Sequence, residues 1–252
     1  MTALTLASTS RATDAGWLAA ADIATIADEL DITYRLVGGL AVTLVVHALG
    51  ADELAPARET ADADLGVPFD VCSDARLPVA LLAAGYQLDG GNRFVRSVDD
   101  RELTIDVLAP SYQGRLVSNQ QHGELYVDEV PGLQTALLEA PTTVNVHAAL
   151  TDGSEVRMAL LLPDVAACLV MKAMAYRGRW ASSDAIDIHR LLEAANHAGR
   201  TVKDWPNRVD ARDASALLHQ HFGAGSNNRH LQGVAARVRL LVQRVVPTAP
   251  PR

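Results

Sequence analysis

The chain has 252 residues, 49% of them apolar and 21% charged, enough to bury a sizeable core in one large or two modest globular domains. Aromatic residues supply only 4%, so that core must rest on Ala, Leu and Val, while two cysteines, Cys72 and Cys168, exclude a disulfide scaffold or a cysteine-based zinc ribbon and point to a reducing cytoplasm. The net charge of −8 is uneven, because residues 1–199 hold 13 Lys/Arg against 27 Asp/Glu and residues 200–252 hold 9 against 3. Such a basic tail is either a solvated helical face or a polyanion-binding surface.

Met1 to Arg11 carries no continuous apolar run, and the longest apolar stretch, Leu36 to Ala51, is interrupted by a Gly pair and His47, so no membrane segment is expected. Asp14 is placed to cap a helix whose apolar positions Trp17, Leu18, Ala21, Ile23, Ile26 and Leu30 recur at helical spacing. A β-type run, Ile32 to Val37, meets Gly38-Gly39 and passes into a helix, Leu40 to Leu49, that Gly50 can end. Thr60 to Val67 alternates as a strand, with Ala61, Ala63 and Leu65 on one side and Thr60, Asp62 and Asp64 on the other. A helix over 74–85 precedes a hairpin of Asn92–Val98 and Glu102–Leu108, turning at Asp99-Asp100-Arg101, and a second hairpin joins Thr142–Leu150 to Glu155–Leu162. Four helices follow, at 164–177, 183–198, 210–222 and 227–245. The pattern predicts an α/β part with a mixed sheet over 1–162 and a helical part over 163–252.

The chemistry gathers around the glycine turn. Glycines let backbone N–H groups approach a phosphate while the next helix presents its positive N-terminus. Asp62 and Asp64, two apart in a strand, project from one face and can share or bridge divalent ions, although two acids on the wet side of an edge strand would look the same. Asp106, flanked by apolar residues in its own strand, needs a partner or a metal. It completes a three-carboxylate cluster suited to Mg²⁺ if its strand neighbours that of Asp62. Lys172, one of only two lysines, sits in an apolar helix as a phosphate ligand or a snorkelling side chain. Asp184 and Asp187 share a helical face and can pair with Lys172 or Arg177. Arg58 orients the Asp pair, contacts phosphate, or bridges Glu59 or Glu53. His219 and His221 have no third ligand at usable spacing, and no Walker A or Gly-x-Ser-x-Gly run is present.

Gly38-Gly39-x-Ala41 followed by Arg58-x-Thr60-x-Asp62-x-Asp64 resembles the polymerase-β-like minimal nucleotidyltransferases, and more closely the AbiEii-type nucleotidyltransferase toxins of bacterial toxin–antitoxin systems. Lys172 to Arg177 and Ser183 to Leu191 resemble that family's later signature, Lys-x-x-Ala-x-x-x-Arg then a basic residue, Asp-x-x-Asp-x-x-x-Leu. Gly39 stands where relatives often carry Ser, and Ser183 replaces the basic residue before Asp184. The resemblance implies a polymerase-β-like fold and Mg²⁺-dependent (or Mn²⁺-dependent) transfer of NMP from an NTP to an RNA acceptor, the tRNA 3′ end. It also implies a growth-arrest role with a cognate antitoxin. Asp62, Asp64 and Asp106 would then hold metal, Gly38, Gly39, Arg58 and Lys172 would bind the nucleotide, and Asp187 would be an active-site acid. Two other readings remain: a non-catalytic NTP- or partner-binding module, and a small-molecule nucleotidyltransferase of the antibiotic-modifying kind.

Overall fold

The computed structural model describes residues 2–55 and 58–248. Its first element is a strand that the sequence pattern did not disclose, β1 (Thr2–Ala7). Helix α1 (Arg11–Leu30) is capped by Ser10, whose hydroxyl accepts from the Thr13 N–H at 3.1 Å. Asp14 therefore lies inside the first turn and does not cap it. It is fully buried and accepts from the Thr151 backbone N–H at 3.0 Å and from the Thr151 hydroxyl. The β-type run before the glycines narrows to β2 (Arg35–Val37), which leads into α2 (Gly38–Ala48). Strand β3 covers Asp62–Gly66, shorter than the alternation predicts.

The helix expected over 74–85 is α4 (Arg76–Ala83), and a further short helix that the sequence pattern did not disclose, α3 (Phe69–Cys72), precedes it. Asp74 separates the two: its carboxylate accepts from the Arg76 N–H at 2.9 Å, which turns the backbone before the second helix begins. A short β4 (Gln87–Leu88) precedes the first hairpin, β5 (Arg93–Val98) and β6 (Arg101–Pro110). Three more elements lacked a readable period: β7 (Val117–His122), β8 (Leu125–Val130) and α5 (Leu133–Leu138). The second hairpin is β9 (Thr142–Ala149) and β10 (Glu155–Leu162). Four helices close the chain, α6 (Val165–Arg179), α7 (Ser182–His197), α8 (Val209–Phe222) and α9 (Ala235–Val245). The last is shorter than 227–245, because a 3-10 turn at Arg229–Leu231 and Gly233 at φ +86° interrupt it.

The fold is thus mixed α/β followed by helices. One sheet runs β2-β3-β6-β5-β4, with β8 and then β7 continuing from the end of β6; a second, three-stranded sheet runs β1-β9-β10. Strand β3 is antiparallel to β2 and parallel to β6, so it is an inner strand. A continuous apolar cluster joins α1, α2, both sheets and α6 to α9, with Leu36, Leu44, Leu65, Ile105, Leu169, Ile188 and Leu241 all buried. No helix among the described residues is long and apolar enough to cross a membrane.

Candidate active site

The alternation in β3 holds: Ala63 and Leu65 are buried, Asp62 is exposed and Asp64 half-buried on the opposite face. Because β6 pairs on the other side of β3 in parallel register, Thr104 lies beside Asp62 and Asp106 beside Asp64. Adjacent strands stand about 4.8 Å apart, which sets the three carboxylates on one face. Asp62 and Asp64 form no hydrogen bond or ion pair among the described residues. Burial, then the charge of Asp106 and that of Asp62, push the Asp64 carboxyl up to about 6 against the counter-pull of Lys172. Such a carboxylate lacks a cation, and hard oxygen donors on one face are the donor set that Mg²⁺ or Mn²⁺ takes.

Asp106 itself is occupied. Arg93, opposite it on β5, donates from Nε to Oδ1 at 2.9 Å and from Nη2 to Oδ2 at 2.8 Å. In this arrangement no group of three or more His, Cys, Asp or Glu side chains among the described residues is assembled to hold a metal. Arg93 is 47% exposed, and Asp106 can join Asp62 and Asp64 only by exchanging that partner.

The glycine turn packs directly on this face. Gly38 has φ +72°, and a Cβ there would fall 1.7 Å from Oδ2 of Asp64. The carboxylate occupies the room that the missing side chain leaves. A Cβ on Gly39 would fall 2.1 Å from Nη2 of Arg58 and 2.7 Å from the Thr60 hydroxyl. A side chain at position 39 would therefore require the end of Arg58 and the Thr60 hydroxyl to move. The first turn of α2 has no side-chain cap, so its N–H groups point outward with the positive end of the helix dipole.

The second signature builds a buried ion network behind that turn. Asp187 is fully buried and accepts from Arg58 Nε at 3.2 Å and Nη2 at 3.3 Å, with Lys172 Nζ at 2.8 Å and Arg190 Nη1 at 3.8 Å. Lys172 is buried too and also reaches Asp184 at 3.5 Å, so it does not snorkel. Arg58 pairs with neither Glu59 nor Glu53; beyond Asp187 it donates, among the described residues, only to the Glu59 carbonyl, at 3.3 Å. Asp184 belongs to Arg179, at 2.6 and 2.7 Å. Burial opposes its ionisation, but the Arg179 bonds and Lys172 hold its carboxyl below the usual range. Arg177 instead donates to the Gly114 carbonyl.

Sequence reasoning missed Arg93, Arg179 and Arg190. Arg179 stands seven positions after Lys172, where the later signature places its arginine, and Arg190 lies three positions after Asp187 on the same helical face. Arg93 was readable only from the hairpin register. Val98 faces Arg101, and that tight turn carries Arg93 opposite Asp106. A turn counted one residue longer puts Phe94 there instead.

No family model and no curated protein matches the chain. Among solved structures, it is similar to the antibiotic-resistance factor ANT(2'')-Ia in solution, at 16% identity and TM-score 0.40 over 74% of this chain and 85% of that one. It is also similar to crystalline ANT(2'')-Ia in complex with adenylyl-2''-tobramycin, at 15% identity and TM-score 0.35 over 71% of this chain and 91% of that one.

Proposed function

We propose that the chain is a divalent-metal-dependent nucleotidyltransferase with a polymerase-β-like catalytic unit in residues 1–162 and a helical unit in 163–252. The observation that supports this most is Asp62 and Asp64 on an inner strand, without a hydrogen bond or ion pair among the described residues, with Asp64 packed against Gly38 at the uncapped start of α2. Asp62 and Asp64 would hold Mg²⁺ or Mn²⁺, with Asp106 joining once Arg93 releases it. The metal, when bound, supplies charge neutralisation at the phosphate oxygens. The N–H groups around Gly38 and Gly39 would donate to the triphosphate. Once released by Arg93, Asp106 would take the proton of the acceptor hydroxyl as that oxygen attacks the α-phosphorus and pyrophosphate leaves. Lys172 adds positive charge from α6, held by Asp187 and Asp184, and Arg58 acts as a positioning residue behind the turn.

The acceptor we propose is an RNA 3′ end, as in the cytoplasmic tRNA-modifying toxins the motifs resemble, with an antitoxin as protein partner. The tail retains Arg229, Arg239 and Arg244, which among the described residues bond only His230, the Ala235 carbonyl and Asn196. A small hydroxylated acceptor of the antibiotic kind is the second reading. It is favoured by the pairing of other tail arginines, since Arg237 is bound to Glu193 and Arg208 to Glu139, each at 2.7 Å. Incubation with each α-labelled NTP, Mg²⁺, and either total RNA or an aminoglycoside panel tests both. Labelled RNA supports the first reading and labelled aminoglycoside the second. Asp62→Ala or Asp64→Ala should lower transfer by about 10³-fold or more. Transfer at the wild-type rate in folded variants, or none in the wild type, overturns the catalytic reading.

A further inference from the structure

Tyr176 lies one turn beyond Lys172 on α6, and Trp180 closes that helix, so the three stand at i, i+4 and i+8 along one face. Tyr176 and Trp180 open onto a cavity of about 430 Å³ whose other wall is the end of α8 and the loop to Arg229–Leu231. The rise of a helix puts Trp180 about 12 Å along the axis from Lys172. The ring walls are set edge to face: Trp180 and His221 have centroids 4.7 Å apart at 78°, and Tyr176 and His230 6.0 Å apart at 87°. That packing leaves Trp180 51% exposed. Its backbone is held at φ +52°, a region a bulky residue seldom adopts, at some conformational cost.

The polar lining is equally specific. His230 Nδ1 is buried with no hydrogen-bond partner among the described residues, and its Nε2 accepts from Arg229 Nε at 3.3 Å. Gln220 and Asn227 are exposed amides with no hydrogen bond among the described residues. Asn228, by contrast, holds the loop, donating to the His221 carbonyl at 3.2 Å and accepting from the His230 N–H at 3.0 Å. Burial keeps the His221 ring below the usual imidazole range and hence neutral at pH 7. One cation, Arg229, stands among the lining residues.

We propose that this cavity binds a nucleobase. A half-exposed indole and exposed amides that both donate and accept are what a flat heterocycle with polar edges requires, and the volume falls in the range of small-ligand sites. Trp180 stacks on the base, Gln220 and Asn227 read its edge, and Arg229 meets a neighbouring phosphate. The choice of a base over another flat ring rests on the nucleotidyl-transfer reading; the base comes either from the NTP or from the last residue of an RNA acceptor.

Nucleosides, which carry no phosphate and need no metal, test the cavity separately from the chemistry. Titration of the full chain with adenosine, guanosine, cytidine and uridine should quench tryptophan emission saturably for at least one of them. Calorimetry should show Trp180→Ala weakening that binding about tenfold, with Trp180→Phe within about threefold of wild type. Gln220→Ala and Asn227→Ala, at exposed positions that leave the fold intact, should change the preference among bases. Competition by NTPs and by a 3′-terminal CCA trinucleotide assigns the source. Binding should persist in Asp64→Asn even though transfer is lost, so a failed enzyme and a failed cavity are distinguishable. No saturable quenching, unchanged affinity in Trp180→Ala and in both amide variants, or occupancy by an aminoglycoside alone overturns the proposal.

Discussion

Asp64 titrates at about 6 in the folded chain against 3.8 for the free side chain, so between those values the folded state holds a proton that the unfolded state has released. Stability from this group is therefore present below pH 3.8 and is lost as pH rises through 6. Asp64→Asn removes the ionised form. With divalent ions chelated it should be more stable than wild type above pH 7 by about 1–2 kcal/mol, a figure reduced for the solvent that reaches a half-buried group. Urea unfolding across pH reads this, and added Mg²⁺ should stabilise wild type only. A variant less stable than wild type in chelator would mean the carboxylate is already paired. Gly38→Ala combines a disfavoured φ with displacement of Asp64, so it should cost about 1–3 kcal/mol and slow transfer about 10²-fold, measured by melting and by labelled-NTP turnover.

Between elements, the clearest tie is Asp187 of α7 with Arg58 ahead of β3 and Lys172 of α6. Removing the shared anion strands buried cations, so Asp187→Asn should cost about 3–5 kcal/mol and lower Tm by on the order of 10 °C. Lys172→Ala should also destabilise, while Lys172→Met, which fills the space and leaves Arg58 on Asp187 and Arg179 on Asp184, should cost less. Thermal melts of the three variants check the order, and equal Tm values would remove the network from the account. The sequence disclosed the residues of this network without their roles. Helical spacing put Asp184 and Asp187 on one face, but no local period reports that Arg58, 129 positions away, closes the pair. The first hairpin shows the same limit at short range. Its strands were plain from composition, yet one residue of turn length decided whether Arg93 or Phe94 faces Asp106.

At the scale of the whole molecule, charge reads well from sequence and its availability does not. The basic excess in residues 200–252 is evident by counting. Which arginines remain open depends on acids far away in the chain, such as Glu139 and Glu193. Reversing Arg237 would set two carboxylates against each other and confuse folding with binding, so Arg239 and Arg244 are the better pair. If they meet RNA, their reversal to Glu should weaken RNA binding, lower its salt slope by about 0.7 for each phosphate no longer neutralised, and spare NTP affinity. Unchanged RNA binding between low and physiological salt would move the small-acceptor reading ahead. Elements β1, β7 and β8 escaped sequence reading for a related reason. Strand β7 is largely exposed and β1 pairs with β9 across some 140 residues, so neither shows a strong local apolar alternation.

The seating of Asp64 over Gly38 makes the two positions a single evolutionary unit. While the carboxylate is kept, no side chain fits at 38; once it shrinks, the steric bar lifts and only the modest left-handed penalty remains, which Asn or Ala can bear. Their double-mutant cycle should thus be strongly non-additive, Gly38→Ala costing far less beside Asp64→Ala than alone. Among descendants of such a chain, a filled position 38 would mark lineages in which the carboxylate had already gone, a fossil of that loss written in the backbone.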